Sequence, residues 1–302
     1  MIDDTTKKDI EKISYEVLKQ SKSFDVFPTP INNILGHTEL TIDNGIDLRN
    51  VDYSFIEKLK DKSADRFKIL QSGLSKIKGL FFRPEKVIYV DLSQTTGRQN
   101  FVKLHEVGHG LLPWQNEIML ALDDNETLKA SFEDQFEAEA NYFASITLFQ
   151  QDRFMTEMHK LNLSIDSAMA LAKKFGSSVH SSLRNYVLKS KNRCALLVLN
   201  PIKKNAGNGS ICSKRNLFHS QSFVRDIGEL KLPEEYGYKW DFARHFKFGQ
   251  KYKKGEISLE TINDEYLDCS YQYFFNSFNI FVFIFPKGEV NKSKTQVILQ
   301  NI

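Results

Sequence analysis

Apolar residues recur at helical spacing over several stretches of this chain and form short unbroken runs over others. Ile10, Ile13, Val17 and Leu18 share one face of residues 5–20, with Lys and Glu opposite, which predicts an amphipathic packing helix. Pro28 and Pro30 interrupt the chain, and a short helix started by proline is expected over Ile31–Leu35. Leu40–Ile42 reads as a strand. Tyr53–Leu59 and Phe67–Ile77 read as helices, the second stopped by Gly79. Val87–Leu92 (VIYVDL) follows Pro84 and is rich in β-branched residues, so a strand is expected. Phe101, Leu104, Gly108, Leu111 and Leu112 return to helical spacing, closed by Pro113 and Trp114. After an acidic loop, Phe136, Ala140, Phe143, Ala144 and Thr147/Leu148 mark the buried face of a helix over Phe132–Phe149.

Further on, Ser164 caps a helix holding Ile165, Ala168, Met169 and Ala172. Gly176 and Ser177 make a turn, and Val179, Leu183, Tyr186 and Val187 line a second helix. Helix, tight turn and helix fits a hairpin packed on the core, the preferred reading. It also fits a helix-turn-helix outline, to which Lys173, Lys174, Arg184, Lys189 and Lys191 lend a basic tone. From Arg193 the texture changes: Cys194–Leu199 reads as a strand, Asn205–Gly209 as a turn, and Ile280–Phe285 as a buried strand with Thr295–Leu299 as a candidate partner. The aromatics of Tyr271–Phe285 read as core. Three segments are expected: 1–160, a helical connector 161–192, and a mixed α/β domain 193–302.

Composition narrows the class. With 302 residues and 41% hydrophobic content, the chain can build a core or two. A net charge of +3 with 26% charged residues leaves no massed basic surface, so nucleic-acid contact is possible only locally and is not required. Cys194, Cys212 and Cys269 are odd in number and widely spaced, which argues against a disulfide framework and suits a reducing cytoplasm. The start, MIDDTTKKDIEKI, has no apolar signal region. The apolar run Ile280–Phe285 falls far short of the roughly 20 residues a membrane helix needs. A cytoplasmic protein without a membrane partner is expected.

The chemistry lies in FVKLHEVGHGLL, residues 101–112. His105 and His109 are four residues apart on a helix, so both point the same way and can bind one metal ion, with Glu106 beside it as general base. A third ligand is sought among carboxylates on the next helix, where Glu133, Glu137 and Glu139 lie on or near the buried face. Glu139 is rotated by about 200° from Glu137, so both cannot face one ion, and Glu137 is preferred. Asn141 follows Glu137 by one turn and is expected to hydrogen-bond a ligating histidine. Val87, Ile88, Tyr89, Val90 and Asp91 are read as an edge strand on which an extended substrate could pair. His180 and Tyr186 are candidate oxyanion or substrate contacts, with core or surface roles as the plainer reading.

Arg98, Phe101 and His105–His109, followed by E-A-E-A-N-x-F-A from Glu137 to Ala144, resemble the ImmA/IrrE family of metallo-endopeptidases over about Val87–Leu148. The similarity continues through LAKKFGSSVHSSLRNYVLKS to CALLVLN, as in longer members with a C-terminal domain. The resemblance implies an α+β protein: a mainly helical zincin-like domain with a small sheet, then a second domain, GAF-like in some relatives. It implies Zn²⁺ on His105, His109 and Glu137, and cleavage of a partner, usually a helix-turn-helix repressor, to release phage, mobile-element or stress-response genes. Several members carry an N-terminal helix-turn-helix domain, and residues 1–60 here offer no convincing DNA-reading pair. The competing expectation is a regulatory binding protein with a vestigial metal site that docks a repressor or DNA.

Overall fold

The computed structural model describes residues 2–43, 79–82, 86–91, 93–115, 126–202 and 209–289. The chain divides into two compact units, one comprising Met1–Phe154 with Lys173–Ser178, the other Met155–Ala172 with Val179–Ile302. The helices expected at Tyr53–Leu59 and Phe67–Ile77, the strand Thr295–Leu299 and most of the Asn205–Gly209 turn lie outside the described residues.

In the first unit, helix α1 spans Asp4–Gln20. Asp3 caps it, its carboxylate accepting the amides of Thr5 and Thr6 at 2.9 Å and satisfying donors that the first turn leaves unpaired. Ile10, Val17 and Leu18 are buried as expected, Ser14 joins them, and Ile13 is half-buried against the same core. Ser14 escapes the cost of burial by bonding Thr147 Oγ1 at 2.9 Å. Helix α2 is Ile31–His37 and strand β1 is Thr41–Asp43. Strands β2 (Gly79–Phe82) and β3 (Val87–Val90), helix α3 (Thr96–Leu111) and helix α4 (Glu126–Leu148) complete the set. Ile88, Val90, Leu104, Val107, Phe143 and their neighbours form one apolar core beneath the sheet and the two long helices.

The sheet order is β1-β3-β2, which corrects the reading of Val87–Asp91 as an edge. β3 is central, paired in parallel with β1 (Thr41↔Val87) and antiparallel with β2 (Gly79↔Val90). Ile88, Tyr89 and Val90 are all buried, the continuous burial of a strand covered on both faces. Among the described residues, the free backbone edges belong to β1 and β2. The β2 strand was not expected, because Gly79 was read only as a helix stop.

The start of α3 is pinned by Lys173–Ser178. Asn100 Nδ2 donates to Gly176 O at 2.8 Å, and a Cβ at Gly97 would collide with the backbone of Ser177 and Ser178. Gly97→Ala adds helix propensity, yet the clash is with backbone and cannot be relieved by a rotamer change. A loss of about 1–3 kcal/mol in urea unfolding is expected; unchanged or raised stability would mean that this approach is not tight.

In the second unit, helices α6 (Ile165–Phe175, as far as Ala172) and α7 (Val179–Lys189) fall where the apolar spacing places them, after the short helix α5 (Arg153–Met158). Gly176 takes the left-handed φ of +69° that a helix-ending turn requires. Beyond them lies an antiparallel sheet in the order β6-β5-β4-β9-β8-β7. Its strands are β4 (Ala195–Pro201), β5 (Cys212–His219), β6 (Glu235–Tyr236), β7 (Tyr252–Glu260), β8 (Tyr266–Phe275) and β9 (Ile280–Pro286). Central β4 and β9 are the unbroken apolar runs, since both their faces are covered. Tyr186 and His180 of α7 lie against Phe283 and Phe281. Val282 and Ile284 face a core that includes Phe223 of helix α8 (Gln221–Asp226) and Phe242 of helix α9 (Asp241–Lys247). Among the described residues no helix is long and apolar enough to cross a membrane.

Candidate metal centre

α3 packs along α4, and Gly108 sets how closely. A Cβ at Gly108 would stand 3.1 Å from Phe143 Cδ1 and 3.3 Å from the Ala140 Cα, so the glycine inside the H-E-V-G-H motif lets the two backbones approach. The 3.6-residue repeat then turns His105 and His109 toward Glu137 of α4.

His105, His109 and Glu137 form a group whose candidate ligand atoms all lie within 4.8 Å of one another. The two Nε2 atoms are 3.1 Å apart, and the imidazoles cross nearly at right angles (87°). Glu137 Oε2 lies 3.3 Å from His105 Nε2, and Oε1 lies 3.3 Å from His109 Nε2. The histidine side chains are 14% and 17% exposed and Glu137 59%, so the group is reachable from solvent on the Glu137 side. Burial disfavours charge on His109, but the hydrogen bond to Glu137 and the charges of Glu106 and Glu137 outweigh it and raise its pKa above the ordinary value. Hydrogen bonds from His105 and His109 hold Glu137 well below the usual carboxylate range.

These residues fit a zinc ion. Two imidazole nitrogens and one carboxylate are the donor set of a catalytic zinc site with an open fourth position. Tetrahedral ligands at about 2.0–2.1 Å from an ion stand about 3.3–3.4 Å from one another, close to the 3.1 and 3.3 Å separations here. Glu106, in the middle of the motif, is 6% exposed and near enough for its charge to be felt at His109.

Other candidates fall elsewhere. Asn141 is exposed, and among the described residues no hydrogen bond joins it to either histidine; His109 Nδ1 is instead met by Gln115 Oε1 at 3.0 Å. A residue one turn beyond Glu137 looks outward here, while Gln115 follows the end of α3 directly beneath His109. Glu139 is fully buried and accepts Trp114 Nε1 at 2.8 Å, Gln115 Nε2 at 2.9 Å and Gln135 Nε2 at 2.9 Å. Sequence reasoning set Glu139 aside as a ligand and missed this use of it. The available signal was a carboxylate between Ala138 and Ala140 on an apolar face, which has to find donors. Tyr186 is 3% exposed and its hydroxyl donates to Asn162 O at 2.9 Å, so the candidate oxyanion donor is a core tyrosine of the second unit. His180 packs its ring 5.7 Å from Phe281, also within the second unit.

Residues 63–184 match the model of a peptidase family described as the IrrE N-terminal-like domain. A search among curated proteins found no match. Among solved structures, a Mycobacterium tuberculosis transcriptional regulator is similar, with a TM-score of 0.52 and 13% identity over 91% of this chain and 86% of that one. At that identity the likeness is one of fold. The matched span holds α3, α4 and every residue of the His–His–Glu group, and the ImmA/IrrE resemblance of residues 63–184 is thereby shown: this chain carries an IrrE N-terminal-like peptidase domain.

Proposed function

We propose that the chain is a zinc-dependent endopeptidase that cuts one partner protein, a helix-turn-helix transcriptional repressor, to release phage, mobile-element or stress-response genes. The observation that carries this reading is the convergence of His105, His109 and Glu137, with Glu106 on the same helix. The three would hold Zn²⁺, which supplies Lewis-acid polarisation of the scissile carbonyl and eases ionisation of the attacking water. Glu106 would take the proton of that water and return it to the departing amine, the general-base role of a carboxylate held beside the site. With β3 central, the substrate backbone would pair instead with β2, which packs against α3 and keeps one edge unpaired among the described residues. Residues 193–302 would act as a sensing or substrate-recognition domain. Its antiparallel sheet, covered by α8 and α9 on one face and by α7 from the helical connector 161–192 on the other, supports the GAF-like expectation.

The likeness to a transcriptional regulator supports a second reading, in which the metal site is vestigial and the chain works by docking a repressor or DNA. A small helix-turn-helix protein encoded beside this chain, incubated with it and zinc and followed by mass spectrometry, separates the readings. A single cut that chelator prevents is expected. Equal turnover of casein would make the chain a general peptidase, and relief of repression without any cut would make it a binding protein.

A further inference from the structure

We propose that Gln115 and Glu139 are positioning residues that fix His109 in one tautomer with its Nε2 lone pair directed at the metal position. The inference rests on the reading of His105, His109 and Glu137 as metal ligands. Glu139 is 0% exposed and accepts three N–H groups, from Trp114, Gln115 and Gln135, so its oxygens act as acceptors. Gln115, also 0% exposed, has its Nε2 2.9 Å from Glu139 Oε2 and 3.3 Å from the Phe136 carbonyl. Two acceptors on one side admit only the NH₂ end of the amide there. The Oε1 end must therefore face His109, 3.0 Å from Nδ1. An amide oxygen only accepts, so in the neutral ring Nδ1 carries the proton, and Nε2, which donates to Glu137 only when the ring is doubly protonated, turns its lone pair toward His105 and Glu137.

The two histidines are thus held differently, since His105 Nδ1 is buried with no hydrogen-bond partner among the described residues. The same network ties the segment after α3 to α4 through Trp114 and Gln115, so it also clamps the metal helix against the helix that carries Glu137. A carboxylate behind an imidazole raises its basicity; here the carboxylate acts through an amide, which passes on orientation without placing a charge on the ring.

The test uses the full chain, ¹⁵N-labelled at histidine, with His109 assigned by comparison with His109→Gln. In the metal-free wild type, at a pH where the ring is neutral, the His109 Nδ1–H tautomer is expected alone. In Gln115→Leu a mixture is expected, with zinc affinity, read by chelator competition, lower by about 10- to 100-fold. Glu139→Gln keeps an acceptor for Trp114 and Gln115 and should retain most of the wild-type affinity. An Nε2–H tautomer in the wild type overturns the proposal and needs no variant to fold. So does a folded Gln115→Leu chain with an unchanged tautomer and zinc affinity within twofold of wild type. Should the wild type bind no zinc while showing the Nδ1–H tautomer, the metal reading fails and the orientation of His109 stands.

Discussion

Glu106→Gln is expected to lower kcat on the cleaved partner by about 10²–10⁴-fold while zinc stays bound, the range over which a positioned general base contributes. In barrier terms that is about 3–5 kcal/mol. The substitution is close to isosteric, and Glu106 is not among the three residues whose ligand atoms converge. It is buried, so water cannot readily take over its proton transfer, and a glutamine amide cannot accept the proton. Loss of turnover with zinc stoichiometry and unfolding midpoint retained is the expected pattern. Cleavage within threefold of wild type would remove Glu106 from the chemistry.

The second large effect separates two glutamates that stand two residues apart. Glu137→Ala is expected to weaken zinc binding by more than the 10- to 100-fold typical of losing an outer partner of a ligand, because it removes a ligand itself. It should cost the metal-free fold little, since solvent screens the hydrogen bonds that exposed Glu137 accepts from His105 and His109 and alanine is the better helix former. Glu139→Ala should do the reverse. It strands the Trp114 and Gln115 donors in the interior at a cost of about 1–3 kcal/mol of stability, with the smaller effect on zinc. Isothermal titration with zinc and urea unfolding on the two variants read both quantities. A Glu139→Ala chain that lost zinc more severely than Glu137→Ala would reverse the assignment.

How far the sequence carried the account follows from which signals are local. The H-E-x-x-H array and the 3.6-residue repeat around Phe136, Phe143 and Ala144 are local signals, and α3 and α4 formed where they pointed. The strands VIYV and IFVFIF were legible for the same reason: short unbroken apolar runs beside Pro or Gly. What could not be read was pairing. Whether β3 had neighbours on both sides depended on β1, more than 40 residues upstream, and on GLFF, four residues whose only mark was the glycine taken for a stop. β7 was missed because Lys253, Lys254, Glu256 and Glu260 give it the polar look of an edge strand rather than of a core one. Asn141 was chosen over Gln115 because one helical turn is a spacing visible in sequence. Gln115 reaches His109 from beyond the end of α3, and its amide is oriented by a carboxylate 24 residues later, a geometry that appears only once both helices are packed.

The central claim is a two-histidine, one-carboxylate zinc site, and X-ray absorption at the zinc edge tests it most directly on wild-type chain loaded with one equivalent of metal. Two imidazole nitrogens and oxygen ligands at about 2.0–2.2 Å, with no sulfur, are expected. Sulfur scattering at about 2.3 Å, implicating one of the three cysteines, or an imidazole signal unchanged in His105→Ala, would contradict the account.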